Sequence, residues 1–260
     1  MKKILLLVIL LLSNLTFAQY EEDVDVSDAL QAALNVRSAA VKITKNYLYR
    51  GLHVSYVSKE NDNNLAFGEE NILKLEIYAE THPELLDKTK KLVRLWKNTR
   101  VLAIHKPVRK KMNGILKHLK DFMDSSDDII NSIKQSGNIA VLEYQQASNE
   151  MEILAQQLAL LHAMNIAKIQ DPMIGHEIKR CTADFQKNLD KTFFSGENNI
   201  DVVNVLKTVQ ADWEMTKRTL SNTDNERFLN TLYVLMNRVS DEAHKAALLY
   251  QKKAKADLKK

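Results

Sequence analysis

The sequence predicts an all-α fold, an elongated helical bundle of two tandem up-and-down helical units. Three observations lead there. Six glycines and three prolines in 260 residues are too little punctuation for alternating strands and turns, and they favour long helices joined by few loops. Apolar residues recur at helical spacing through most stretches between those breaks. Finally, residues 33–48 (ALNVRSAAVKITKNYL) are echoed about 115 positions later by residues 148–163 (SNEMEILAQQLALLHA), the mark of an internal repeat.

The chain opens with residues 1–18, which read as a signal peptide. Lys2 and Lys3 form a positive start, Ile4 to Leu12 a short apolar run, and Thr16-Phe17-Ala18 a small-residue cleavage site. Cleavage is expected after Ala18, which sends the mature chain to the periplasm or out of the cell. No later run of about 18 apolar residues follows, so no transmembrane segment is expected in the mature chain. Cys181 is the single cysteine. An exported chain with one cysteine closes no internal disulfide and rests on its core. The formal charge is +4; losing Lys2 and Lys3 leaves about +2, too balanced to imply nucleic acid.

The first helix is expected from a Ser27 cap to about Leu52, with Leu30, Leu34, Val41, Thr44 and Leu48 on one face of an amphipathic cylinder. Arg37 falls near the middle of that face and needs a carboxylate, backbone carbonyls or a bound anion. Lys59 to Asn64 (KENDNN) reads as a loop, and a second helix as Glu69 to Ala79. Pro83 is placed to open a third, Glu84 to Ile104, with Leu85, Thr89, Leu92, Leu95, Trp96 and Thr99 as its inner stripe. A fourth runs to about Gln135 with Ile115, Leu119, Phe122, Ile129, Ile130 and Ile133 inward, although Asp124-Ser125-Ser126-Asp127 is a soft spot. Ser136-Gly137-Asn138 is the best internal boundary, giving units at residues 19–136 and 137–260.

The second unit repeats the plan. Helices are expected from Ile139 to about Ile169, from Asp171-Pro172 to about Phe194, and around Val202, Val205, Leu206, Val209 and Trp213. A last helix carries Phe228, Leu232, Leu235, Val239, Ala243, Ala247 and Leu248, and ends in a basic tail, Gln251 to Lys260. The segments 195–199 and 221–225 read as turns. Aligning the halves sets Arg37 on Glu152, Lys42 on Gln157 and Tyr47 on His162. With a two-residue insertion the only two tryptophans, Trp96 and Trp213, also coincide.

Leu34 to Leu48 resembles the GRQRMLSQRMAKxYL-type segment of the PilJ-like domain, the periplasmic sensory part of type IV pili methyl-accepting chemotaxis proteins. It is similar to the sensory domain of nitrate/nitrite sensor kinases. Such domains often carry the segment twice, and Asn149 to Leu160 fits the second copy; the downstream tryptophan in each half agrees. The resemblance implies a helical bundle with a sensory or ligand-binding role, in which Arg37 matches the arginine that grips the anion across two equivalent helices. Lys42 replaces the other well-placed arginine of the segment, and Leu34 occupies the position of its glycine. In the second copy the arginine positions hold Glu150, Glu152 and Gln157, which are acceptors or neutral groups.

A planar guanidinium suits an oxyanion because it donates two parallel hydrogen bonds. With the two equivalent helices packed together, Arg37 could instead face Glu152 and neutralise itself. Arg37, Lys42, Glu152 and Gln157 are therefore the ligand-site residues expected, for a small anion or other small molecule. The expected function is a non-catalytic exported sensory or ligand-binding module that works with a membrane receptor or other protein partner. The alternative is a structural or protein-interaction bundle that has lost the ligand site.

No cofactor, metal or catalytic site is expected. The seven histidines show no HExxH or paired ExxH pattern. Asp241 and His244 could share a helix face and read as a solvated surface pair, and His162 as a buried, hydrogen-bonded histidine. Cys181 reads as a buried inert thiol, despite Arg180 beside it. Met151, Met164 and Met173 read as core gap-fillers, and Lys106 to Lys120 as one polar helix face.

Overall fold

The computed structural model describes residues 24–53, 58–108, 112–136, 141–169, 172–220 and 228–258. The expected signal peptide at residues 1–18, Asn138, Ile139, Asp171, the expected turn at 221–225 and the last two residues of the expected tail lie outside them. Eight α-helices are described: α1 Val26–Gly51, α2 Ser58–Glu80, α3 Pro83–Ile104, α4 Met112–Ser136, α5 Val141–Ile166, α6 Ile174–Phe193, α7 Ile200–Leu220 and α8 Phe228–Leu258. They form an all-α bundle of two clusters, α1–α4 and α5–α8. Within each, the first helix packs against the second and fourth, and the third against the fourth.

The helix starts follow their chemistry. Asp25, not Ser27, caps α1: its Oδ1 accepts the Asp28 N–H at 2.8 Å. Ser27 lies inside the first turn, past the cap position, and turns inward, donating to Gln145 Oε1. Pro83 sits in the first turn of α3, where its missing N–H costs nothing. The KENDNN segment is helical and belongs to α2, against the loop expectation. Tertiary partners hold it there: Asn61 is buried and donates to the Ala103 carbonyl, and Glu60 accepts from the Tyr233 hydroxyl. The soft spot at 124–127 is likewise unbroken helix, with Ser125 and Ser126 buried and Ser126 Oγ donating to the Met123 carbonyl.

α1 departs most from expectation. It is not amphipathic: from Ser27 to Tyr49 every residue except Asp28 and Lys42 is buried. The cause is its place between the clusters, where α2, α3 and α4 cover one side and α5 and α8 the other. Its second face therefore needed polar partners rather than water. Gln31 donates to Asn149 Oδ1 at 3.1 Å, while Gln145 and Asn149 both donate to Gln31 Oε1. These pairs, with Ser38–Glu152 and Tyr49–Ala159 further along, run in the same direction on both helices. α1 and α5 are thus parallel neighbours, and a buried amide ladder fixes their register by leaving donors orphaned in any other.

Trp96 and Trp213 sit at matching depths of the two clusters. Trp96 Nε1 donates to Glu69 Oε1 at 3.1 Å and Trp213 Nε1 to Gln186 Oε1 at 3.0 Å, each partner lying 27 residues upstream. The same shift in sequence relates Gly68 to Phe185. A Cβ on Gly68 would stand 2.0 Å from Trp96 Cη2, so the first indole lies on bare backbone. In the second cluster Phe185 stacks on Trp213 with centroids 4.0 Å apart. Leu248 and Met173, expected inside, are 42% and 52% exposed.

Candidate functional site

α1 carries Arg37 to the boundary between the clusters, where it is 8% exposed. Its Nη1 donates to Asp127 Oδ1 of α4 at 2.8 Å and to Glu150 Oε1 of α5 at 2.7 Å, and its Nε points at Met123 Sδ at 3.3 Å. Burial, with Asp124 and Asp128 nearby, pushes the Asp127 carboxyl up although Arg37 opposes it. Arg37 does not meet Glu152, as the aligned halves suggested. Each of the two finds other partners of opposite charge.

Glu152 is wholly buried on α5 and is the most heavily satisfied carboxylate here. Ser38 Oγ and Lys42 Nζ donate to its Oε1 at 2.5 and 2.8 Å, and His244 Nδ1 to its Oε2 at 2.9 Å. Burial alone would raise this carboxyl; the ammonium, the imidazolium and their hydrogen bonds overcome it and hold it well below the usual carboxylate range. Burial lowers Lys42 and His244 in turn, but Glu152 outweighs it and both are raised. His244 is therefore no solvated surface residue. Its reach across to α5 could not be seen in a linear pattern.

The expected site residues divide. Arg37 and Gln157 line a groove of about 800 Å³ between α4 and α6. Lys42 and Glu152 form the ion pair on the opposite side of the α1–α5 seam, beneath a groove of about 580 Å³ between α2 and α8. Gln157 Oε1 accepts from the Cys181 thiol at 3.6 Å. Burial pushes that thiol up to about 11 even with Arg180 adjacent, so the nearby charge does not activate it. His162 is 7% exposed, and burial pushes it down to about 4.

The linings of the two grooves correspond in part, position by position. Along α4 the first is lined by Leu116, Lys117, Lys120, Asp124 and Asp127. Along α8 the second is lined by Tyr233, Val234, Asn237, Asp241 and His244, the same positions under the shift that relates the tryptophans. Glu177 on α6 and Glu60 on α2 also correspond. What differs is the sign at the floor. The first half sets the cation Arg37 against the anion Asp127; the second sets the anion Glu152 against the cation His244.

Beneath the α2–α8 groove lies Lys45, buried at 1% exposure. Its Nζ donates to Asn237 Oδ1 at 2.6 Å and stands 4.1 Å from the Tyr233 ring centroid. Burial pulls this ammonium down to about 7, although Glu60 pulls the other way. Tyr233 in turn donates to Glu60 and to Asn46 Oδ1. Among the described residues no group of three or more His, Cys, Asp or Glu side chains is placed to hold a metal ion, and no helix is long and apolar enough to cross a membrane.

Compared with known proteins, the chain matches no family model, no curated protein and no solved structure. Asp127, Glu150 and His244 were missed as site residues by sequence reasoning. Glu150 stands at an arginine position of the repeated segment, and Asp127 and His244 coincide once the tryptophans are aligned, so the repeat itself held the signal.

Proposed function

We propose that the mature chain is a non-catalytic exported sensory or ligand-binding module, similar to the PilJ-like domain, whose ligand sits in the α4–α6 groove. The observation that carries this reading is the position of Arg37. The residue that matches the anion-gripping arginine of the resembled segment lies in the floor of the larger groove, between the two clusters. A ligand there touches α1, α4, α5 and α6 together, so binding changes how the clusters hold each other, as a sensory module requires. A groove of this size takes a small organic molecule.

A second reading, a structural or partner-binding bundle that has lost the ligand site, draws support from the two carboxylates already on Arg37. A bare inorganic anion would have to displace one of them. The test is a thermal-shift series on the mature protein with nitrate, nitrite and small carboxylates, repeated on Arg37→Ala. A rise in melting temperature that vanishes in the variant supports the ligand-binding reading. A folded protein that no small molecule stabilises supports the scaffold.

A further inference from the structure

We propose that the α4–α6 groove binds an uncharged, elongated apolar compound through its carbonyl oxygens, the class to which aliphatic esters, ketones and lactones belong. This rests on the reading of that groove as the ligand seat and goes on to name what fills it.

The floor of the groove holds two polar groups that the protein leaves unused. Arg37 lines the groove with a side chain that is only 10% exposed. Its Nη1 serves Asp127 and Glu150 and its Nε points at Met123 Sδ, but among the described residues its Nη2 donates to nothing. Gln157 lines the same groove. Its Oε1 accepts from the Cys181 thiol, and among the described residues its Nε2 donates to nothing. Both unused groups are donors, so what the floor lacks is an acceptor. Gln157 stands two helical turns beyond Glu150 on α5, which sets the two donors roughly 10 Å apart along the groove.

The surroundings fix the charge of that acceptor. Two carboxylates already stand at 2.8 and 2.7 Å from the one guanidinium. A further anion at Nη2 would meet like charge with no spare counter-charge to offset it. A cation brings no acceptor and leaves both donors unpaired. A carbonyl oxygen accepts from Nη2 and adds no charge.

The surface around the two donors is apolar. Leu154 falls between Glu150 and Gln157 on α5, and Leu119, Met123, Leu160 and Ile174, all buried residues, line the groove with it. An apolar lining with a few polar groups that fix orientation is the make-up of a small-molecule seat. The second half offers no donor of this kind. The position aligned with Arg37 is Glu152, and both its oxygens are occupied.

The test is calorimetric titration of the mature protein with three nine-carbon chains that differ only in their end groups: dimethyl azelate, azelate and 1,9-diaminononane, each kept below its solubility limit. The diester places its two carbonyls about as far apart as the two donors. The expected result is saturable one-site binding of the diester, about tenfold or more tighter than either ion. Arg37→Lys keeps a cation opposite Asp127 and Glu150 but loses the second donor arm, and should weaken the diester about tenfold. Gln157→Leu should weaken it about fivefold, and Asp241→Asn in the other groove should leave it unchanged. Circular dichroism confirms that each variant is folded.

Equal or tighter binding of the dianion or the diamine overturns the assignment of an uncharged ligand while keeping the groove as a ligand seat. Diester binding indifferent to both Arg37→Lys and Gln157→Leu overturns the assignment of the donors. No saturable binding of any of the three overturns the inference, and the ligand-seat reading then stands or falls on the Arg37-dependent thermal shift.

Discussion

His244 and Glu152 form a 2.9 Å ion pair at the positions that Asp127 and Arg37 occupy in the first half, with the charges exchanged. A bundle whose two halves correspond position by position has to neutralise the same internal position twice. Here it did so with opposite assignments, and the anion ended up fully buried on α5 while the arginine stayed at the edge of a groove.

Glu152→Gln should therefore be among the most damaging substitutions in the chain. It strands Lys42 and His244 without their shared counter-charge, at a cost of about 3 kcal/mol. Urea denaturation at neutral pH measures it; a loss well under 1 kcal/mol would mean that the cluster is solvated rather than packed.

His244 gives that pair a pH dependence of known sign. Its folded-state pKa is raised above the ordinary 6.5, so its contribution is fully present below that value and is lost as pH rises through the folded one. In His244→Gln the corresponding fall in stability on the alkaline side should disappear. Melting temperature followed from pH 5 to 9 in both proteins checks it.

Lys45 predicts the opposite slope. Its folded pKa, near 7, is below the unfolded 10.5, so the unfolded chain binds more protons between those values and stability rises with pH across that window. Lys45→Met should flatten this rise and should be more stable than the native protein at pH 6, on the order of 1–3 kcal/mol. The same denaturation series, run to pH 10, separates it from the His244 effect.

Two glycines should respond in opposite ways. Gly68→Ala drives a methyl into the Trp96 indole, only 2.0 Å from Cη2, and should cost about 1–3 kcal/mol by overpacking. Gly175→Ala, in α6 with open space around it, should stabilise by up to about 1 kcal/mol. Thermal melts of the two variants decide both, with Trp fluorescence reporting the first.

Much of the bundle could be read from periodicity. Pro83, the inner stripes of α3, α4 and α7, and the matched tryptophans all lie in local or repeated patterns that survive in a linear string. KENDNN did not, because its polar residues find partners on α3 and α8, and those partners are distant in sequence. The α1 helix misled for a related reason: its amides look like a solvent face until a parallel helix carrying Gln145 and Asn149 is placed against them.

The helical class and the correspondence between the two halves could be read along the chain, because helix period and matched spacing survive in a linear string. That Arg37 answers Asp127 and Glu150 while Glu152 answers Lys42, Ser38 and His244 emerges in three dimensions alone. Charge pairing in a buried seam depends on which side chains share a depth and a face across four helices. Coulomb and desolvation energies act over a few ångströms of space, whatever the separation along the chain.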